Sequence, residues 1–172
     1  WNMTLGAIQD NSLVRDISKR MAEQNKALGI HYNFSPSVDV NNNSKNPIIG
    51  NRSFGEDPNN VYLKAKAYIQ GHKDAGVFTS IKHFPGHGDT DKDSHKTLPV
   101  INGDIKRLNN VELYPFRRLI EDGVAESIML AHLSVPALDK KYPSSLSYKT
   151  VNNLLRDDYQ FNGITITDAL DM

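Results

Sequence analysis

Cysteine is absent from this 172-residue sequence. Its absence excludes disulfides, thiol catalysis and thiolate metal sites, and it leaves the redox compartment undetermined. Long apolar runs are absent too: no stretch approaches the roughly 20 residues that cross a bilayer, so we expect no membrane span. Neither sign of charge is in excess, because 20 basic and 20 acidic residues cancel. Such a surface does not attract nucleic acid over long distances, so we expect a neutral partner and no nucleic acid.

Segments typical of strands and of helices alternate along the chain. The first helix is predicted from large apolar residues at helical spacing, and the second from an Asp-Pro start and a glycine end. The apolar residues are Leu13, Ile17, Met21 and Leu28; the second helix runs from Asp57-Pro58 to Gly76, and two more lie near 111–121 and 148–156. The predicted strands are 30–35, 77–84, 127–132 and 164–168. This alternation predicts an α/β fold with parallel strands, either an open sheet or a (β/α) barrel.

Polar side chains cluster at or just beyond the carboxyl ends of these strands. Active sites of (β/α) barrels are built there, although open α/β sheets also bind ligands at that edge. No Gly-rich phosphate fingerprint follows any strand, which argues against nucleotide binding. The polar residues are Asp39 with Arg52, Lys82 with His83, His132, and Asp168.

Four strands make half of an eight-stranded barrel, which would leave two bare sheet edges. We therefore expect about four consecutive β/α units of a (β/α)8 TIM-type barrel. Residues 1–172 form one partial domain without an internal boundary in this interpretation. The missing barrel segments are expected from the full-length protein.

Residues 82–95 are the densest cluster of chemically active side chains, with three histidines, two lysines and three aspartates among them. His83 and His87 have the spacing of zinc ligands on a helix, but Pro85 and Gly86 between them would disrupt that helix, so no metal site is predicted. A solvated polar loop is the plain alternative, and we interpret the isolated His31 and His72 as structural or surface residues.

Asp93 lies two residues before His95, where a carboxylate in a turn can orient an imidazole and stabilise its protonated form. The two residues therefore form a plausible acid and base. Gly86 and Gly88 would let the loop move over a substrate, because glycine tolerates positive φ.

Several motifs in this sequence resemble the N-terminal barrel domain of glycoside hydrolase family 3, particularly its bacterial β-N-acetylhexosaminidase branch. The resemblance spans nearly the whole chain, and the motifs agree in order and spacing. They are Gly-Asn-Arg-Ser-Phe-Gly-Glu-Asp-Pro at 50–58, Lys-His-Phe-Pro-Gly-His-Gly at 82–88, Asp-Ser-His at 93–95, Leu-Pro at 98–99, and Ile-Thr-Asp-Ala-Leu-Asp-Met at 166–172.

The resemblance implies a retaining glycosidase that removes terminal β-linked N-acetylglucosamine, from peptidoglycan (cell-wall) fragments, without a cofactor. In the family pattern, Asp168 matches the nucleophile that forms a covalent glycosyl intermediate, His95 the general acid/base, and Asp93 its orienting partner. In the same pattern, Arg52, Lys82 and His83 match residues that bind the sugar hydroxyls. Asp39 and His132 lie near the pocket by strand position only, and for them a structural role is at least as well supported.

The resemblance also implies parts that these residues do not include: an acidic segment on an earlier strand that grips the sugar, and the last barrel strand. We therefore expect residues 1–172 alone to be poorly active or inactive. A family 3 β-glucosidase, a phosphorolytic relative, a metal-dependent hydrolase and a non-catalytic sugar-binding remnant are the alternatives. The bacterial cytoplasm and the periplasm or cell envelope are both compatible compartments.

Overall fold

The structure is a computed structural model that describes residues 1–90 and 98–171. Its helices are α1 (Asn2–Gly6), α2 (Asn11–Ala27), α3 (Pro58–Ala75), α4 (Ile105–Asn110) and α5 (Tyr114–Glu121), with a π-helix at Lys149–Asp158 and 3-10 helices at Gly50–Arg52 and Ser144–Leu146. Its strands are β1 (Tyr32–Asn33), β2 (Phe78–Thr79), β3 (Ile81–Phe84), β4 (Ser127–Leu130) and β5 (Ile164–Thr167).

All the described strand pairs are parallel, and they follow the order of the chain. β1 pairs with β2, while β3, β4 and β5 form a three-stranded sheet in that order. Only Ser80 separates β2 from β3, and a parallel bridge from Ser37 to Lys82 extends the first pairing along β3. The predicted parallel arrangement is confirmed: four strand segments lie side by side as part of a TIM-type barrel, with their carboxyl ends at one edge.

Helix α3 begins and ends at the predicted residues. Asp57 accepts a hydrogen bond from the backbone N–H of Asn60 at 2.6 Å, Pro58 occupies the first turn, and Gly76 ends the helix at φ 74°. An Asp-Pro start and a glycine end are common at helix termini because they satisfy or avoid the free backbone N–H and C=O groups there.

The other predicted helices differ from the structure in their details. The helix predicted near 111–121 is α5, which begins at Tyr114. The preceding helix α4 was not predicted, and it ends before Val111, where the backbone leaves the helical region. The helix predicted near 148–156 is the π-helix. Asp10, rather than Asn11 or Ser12, caps α2, and the short helix α1 was not predicted.

Helix α2 forms as predicted, but the large apolar stripe that predicted it does not face α3. Leu13, Ile17 and Met21 are 52%, 40% and 40% exposed, whereas the buried residues of α2 are Val14, Ser18 and Ala22. Small residues allow two helix backbones to approach closely. The packing face of α2 is therefore its small-residue face, and the large apolar stripe borders that face, one residue around the helix.

Close approach of α2 and α3 depends on Gly71. A Cβ atom there would lie 2.3 Å from the carbonyl oxygen of Arg15 and 2.7 Å from the backbone nitrogen of Lys19. Nearby, the Ser18 hydroxyl donates a 2.6 Å hydrogen bond to the carbonyl of Tyr68, and Ser18 also lies 2.7 Å from Nδ1 of the fully buried His72. His72 is thus a structural residue, as predicted.

The hydrophobic core lies between the strands and the helices α3 and α5. Phe84 of β3 packs edge-to-face against Phe116 of α5 at 5.3 Å between ring centroids. Both rings are fully buried. A closely packed core therefore supports the polar edge of the sheet.

We expect Gly71→Ala to destabilise the protein, although alanine is the better helix former. The added methyl group has no space against backbone atoms, and overpacking of this kind costs about 1–3 kcal/mol in the free energy of unfolding. Thermal and urea unfolding of the variant measure the loss. Lys73→Ala, an exposed change on the same helix, should shift stability by less than about 0.5 kcal/mol, and equal effects of both changes would contradict the packing argument.

Candidate active site

Three of the predicted site residues meet at the carboxyl edge of the sheet. His83 lies on β3, Asp168 directly follows β5, and Arg52 ends the 3-10 helix after β1. Nε2 of His83 is 3.4 Å from Nη2 of Arg52 and 3.9 Å from Oδ2 of Asp168. Asp93 and His95 lie outside the described residues. The structure thus brings a carboxylate, a guanidinium and an imidazole together.

The carboxylate of Asp168 is held on one side and accessible on the other. Its backbone N–H donates to the carbonyl of Leu130 at 3.0 Å, which continues the pairing of β5 with β4. Oδ1 accepts a 2.9 Å hydrogen bond from the backbone N–H of Ala169, while Oδ2 faces His83, and the side chain is 20% exposed. A fixed carboxylate with one accessible oxygen can attack an electrophilic carbon or stabilise a developing positive charge.

Lys82 adds a second cationic side chain to this edge. Burial and the neighbouring guanidinium of Arg52 lower the pKa of Lys82, and the carboxylates of Asp168 and Asp39 partly oppose that effect. Two cations and two carboxylates therefore lie within interaction range of one another. Such a balanced set of charged donors and acceptors suits a neutral ligand rich in hydroxyl groups.

Beneath the site lies Asp39, which is fully buried. Its Oδ1 accepts hydrogen bonds from the backbone N–H groups of His83 at 3.1 Å and His87 at 2.7 Å. Its Oδ2 lies 2.7 Å from Nδ1 of His83 and accepts a 2.6 Å bond from the Ser37 hydroxyl. Burial alone would raise the pKa of this carboxyl, but the electrostatic attraction and the hydrogen bond of His83, with help from His87 and Ser37, lower it to about 2.

The start of the predicted catalytic loop is fixed by His87, Thr90 and Asn46. Nδ1 of His87 lies 2.7 Å from the hydroxyl of Thr90, which itself donates to the His87 carbonyl at 3.1 Å. The amide of Asn46 donates to the carbonyls of His87 at 2.8 Å and Gly88 at 3.1 Å, and its oxygen accepts bonds from the backbone N–H groups of 48 and 49. Sequence analysis missed Asn46; the Asn-Pro at 46–47 is the turn signal that could have indicated it.

Gly86 and Gly88 permit close packing in the described part of the loop, and the loop movement predicted from them stays a prediction. A Cβ atom at Gly88 would overlap the carbonyl oxygen of Val40, at 1.7 Å. Gly86 has φ 124°, and a Cβ atom there would lie 2.8 Å from Cβ of the buried Glu112. Both glycines are themselves buried, so residues 86–88 are a packed part of the site.

An ion-pair network holds the beginning of the loop after β3 to neighbouring segments. Arg107 binds Asp89 at 2.8 Å and Glu112 at 3.0 Å, and Asn42 donates to the same Glu112 oxygen at 3.1 Å. Because Glu112 is only 1% exposed, its charge needs these partners. The network connects the loop after β1, the loop after β3 and the α4–α5 break.

His132, left open by the sequence, has a structural position. Its Nε2 lies 3.0 Å from the carbonyl oxygen of Ala169, so that nitrogen carries the proton and donates. Nδ1 then accepts a 2.6 Å hydrogen bond from the Ser145 hydroxyl. His132 therefore connects the end of β4 to the residue that follows Asp168.

The described residues form neither a cluster of metal ligands nor a membrane-spanning helix. Within residues 1–90 and 98–171, no three or more His, Asp or Glu side chains converge as metal ligands. The rings of His83 and His87 instead meet edge-to-face at 5.9 Å between centroids. None of the described helices combines the length and hydropathy needed to span a bilayer.

A parallel barrel sheet whose strand ends present a carboxylate beside lysine, arginine and histidine has the layout of a (β/α)-barrel active site. The chain belongs to glycosyl hydrolase family 3: residues 1–172 match the model of the glycosyl hydrolase family 3 N terminal domain. Its similarity to β-hexosaminidases and to a β-N-acetylglucosaminidase of known structure places it with the β-N-acetylhexosaminidase branch of that family, as the sequence motifs predicted.

Two curated relatives and one solved structure illustrate the similarity. β-Hexosaminidase A of Pseudoalteromonas piscicida is 38% identical over 99% of this chain, and β-hexosaminidase LpqI of Mycobacterium tuberculosis is 43% identical over 83% of it. The solved family 3 β-N-acetylglucosaminidase of Paenibacillus sp. str. FPU-7 matches 99% of the chain at 42% identity and a TM-score of 0.96. The chain spans about a third of these proteins, namely 31%, 36% and 32% of their lengths.

The buried carboxyl of Asp39 should make stability depend on acid. Its pKa of about 2 in the folded protein lies below the ordinary 3.8, so the ionised form stabilises the fold above about pH 4. We expect about 2 kcal/mol of this stabilisation to be lost as the pH falls from about 4 to about 2. Urea unfolding at a series of pH values should show this slope in the wild type and a smaller one in Asp39→Asn. Identical slopes would contradict the assignment.

Proposed function

We propose that this chain is the catalytic barrel portion of a retaining β-N-acetylhexosaminidase that removes terminal β-linked N-acetylglucosamine. The observation that carries the proposal is the Asp168 carboxylate at the carboxyl edge of the barrel strands, which faces the ring of His83, itself in contact with Arg52. Relatives named β-hexosaminidase and β-N-acetylglucosaminidase, similar along nearly the whole chain, support the same activity.

Asp168 is the proposed nucleophile. Its carboxylate would attack the anomeric carbon, forming a carbon–oxygen bond as the bond to the leaving-group oxygen breaks. Water then attacks the same carbon, and the restored carboxylate leaves with net retention of configuration. The hydrogen bond from the Ala169 N–H to Oδ1 supports this role because it orients the attacking group before substrate arrives.

His95 is the proposed general acid/base, oriented by Asp93. In the first step His95 would donate a proton to the leaving oxygen, and in the second it would take one from water. The Asp-Ser-His motif supports this assignment. A histidine suits both steps at neutral pH because its ordinary pKa lies close to that pH.

Arg52, Lys82 and His83 are the proposed ligands of the sugar hydroxyls. Arg52 and Lys82 supply charged donors, and His83 supplies a ring nitrogen that faces both Arg52 and Asp168. Charge-assisted hydrogen bonds in a partly buried site are stronger than neutral ones, and those that tighten as the sugar ring flattens lower the barrier.

We propose peptidoglycan fragments as the natural substrate class and the complete gene product as the active species, with residues 1–172 as one partial barrel domain. Transfer to phosphate instead of water is the second possible outcome, because a neutral histidine base does not repel an anionic acceptor. Product analysis with and without inorganic phosphate distinguishes the two: free N-acetylglucosamine indicates hydrolysis, and its 1-phosphate indicates phosphorolysis.

A fluorosugar trap tests the central proposal. A 5-fluoro derivative of the β-N-acetylglucosaminide, which keeps the acetamido group at C2, should leave a stable glycosyl ester, and peptide mass mapping of the complete gene product should locate that ester on Asp168. The Asp168→Asn variant should remain unlabelled. A label on another residue, or inversion of configuration in the released sugar, would overturn the proposal.

Asp168→Ala should lower kcat at least about 1,000-fold, even for an aryl substrate that needs no protonation of its leaving group. The reason is that alanine has no group that could form the covalent intermediate. Steady-state assays with an aryl N-acetylglucosaminide measure the effect, and Asp157→Ala, which removes an exposed carboxylate from the π-helix, provides the control. Substantial residual activity in Asp168→Ala would remove this residue from the nucleophile role.

His95→Ala should affect substrates according to their leaving groups. We expect losses of roughly 100- to 10,000-fold for disaccharides, whose leaving oxygen needs a proton, and a much smaller loss in glycosylation by an activated aryl substrate. Burst kinetics separate glycosylation from the later hydrolysis. His31→Ala, at an exposed position, is the matched control, and equal losses on both substrate types would argue against an acid role.

A further inference from the structure

One ring nitrogen of His83 faces a hydrogen-bond acceptor, and the other faces a hydrogen-bond donor. Nδ1 lies 2.7 Å from Oδ2 of Asp39, and Nε2 lies 3.4 Å from Nη2 of Arg52. An ionised carboxylate can only accept hydrogen bonds, and a guanidinium can only donate them. The proton therefore belongs on Nδ1, and Nε2 presents a lone pair to the site.

We propose that Asp39 is a positioning residue for the proposed glycosidase reaction: it fixes His83 as the neutral ring protonated on Nδ1, so that Nε2 accepts a hydrogen bond from a sugar hydroxyl. This inference rests on the proposed function for its chemical consequence. The tautomer itself follows from the surrounding donors and acceptors alone.

The tautomer affects Asp168 as well. Nε2 of His83 is 3.9 Å from Oδ2 of Asp168. Without a proton on Nε2, His83 gives no hydrogen bond to that oxygen, which stays available for attack. The opposite tautomer would direct an N–H at both Asp168 and the donating group of Arg52, which would weaken the proposed nucleophile and oppose Arg52.

Burial makes Asp39 difficult to replace in this role. Asp39 is fully buried and His83 is 4% exposed, so bulk water cannot substitute for the missing acceptor. Oδ1 also holds the backbone N–H groups of His83 and His87, and Ser37 donates to Oδ2. One carboxylate thus fixes the position of the ring, its rotation and its proton.

Asp39→Asn separates this role from simple packing. The amide retains the shape of the side chain and one acceptor oxygen for the two backbone groups, but its NH2 group cannot accept from Nδ1–H. A change of this kind behind the histidine of serine proteases leaves the geometry intact and produces the wrong tautomer. Because His83 is proposed to bind a hydroxyl instead of transferring a proton, we expect kcat/KM to fall about 10- to 100-fold.

The test is long-range ¹H–¹⁵N correlation NMR at pH 7 on the complete gene product labelled with ¹⁵N-histidine, with His83 assigned by its loss in His83→Gln. We expect protonated Nδ1 in the wild type and protonated Nε2 in Asp39→Asn. Ser37→Ala is the matched control: it removes another hydrogen bond to the same carboxylate oxygen and should retain the wild-type tautomer.

Each result decides the proposal. Protonated Nε2 in the wild type overturns it, even if Asp39→Asn does not fold. So does a folded Asp39→Asn variant that keeps the wild-type tautomer or the full kcat/KM. If the wild type shows the expected tautomer but no glycosidase activity, the proposed function fails, and with it the role assigned to the tautomer.

Discussion

The described site depends on one buried negative charge. A carboxylate removed from water is strongly unfavourable unless donors surround it, and Asp39 receives them from two parts of the chain: Ser37, after β1, and His83 with His87, at the end of β3. Neither part contains all the partners. The requirement to neutralise this charge therefore holds the two strand ends together at the edge where Asp168 lies.

A second layer of constraints fixes the beginning of the loop without using its chemically active residues. Glycines at 86 and 88 allow the backbone to pack against Glu112 and Val40, and the amide of Asn46 holds the carbonyls that follow. Catalytic groups need supports that position them within fractions of an ångström. Here the support ends at Thr90, immediately before the segment to which the acid/base is assigned.

The features that could be predicted from the sequence depend on interactions between residues close together in the chain. The Asp-Pro start and glycine end of α3, the alternation of strands and helices, and the polar residues at strand ends each depend on a few neighbouring residues. The proposed roles of Asp168, His95 and Asp93 came from motifs whose order and spacing resemble a family, and these roles stay predictions.

Long-range contacts explain what could not be predicted. The packing face of α2 follows from its approach to Gly71, more than forty positions further along the chain, and apolar periodicity alone indicated the adjacent face. The support by Asn46 and the proton position on His83 likewise depend on partners from distant segments. A sequence shows that such residues are polar, but only the fold shows which donor meets which acceptor.

The hydrogen bond between His132 and the carbonyl of Ala169 makes the position of Asp168 depend on residues outside its own strand. Asp168 is bound through its own backbone N–H to Leu130, and the next residue is bound to His132, so both attachments lead to the end of β4 and the segment that follows it. The position of Asp168 therefore depends on β4 as much as on β5, the strand that it follows. Because Ser145 completes the link to His132, a substitution in that outlying turn reaches the centre of the site through two hydrogen bonds.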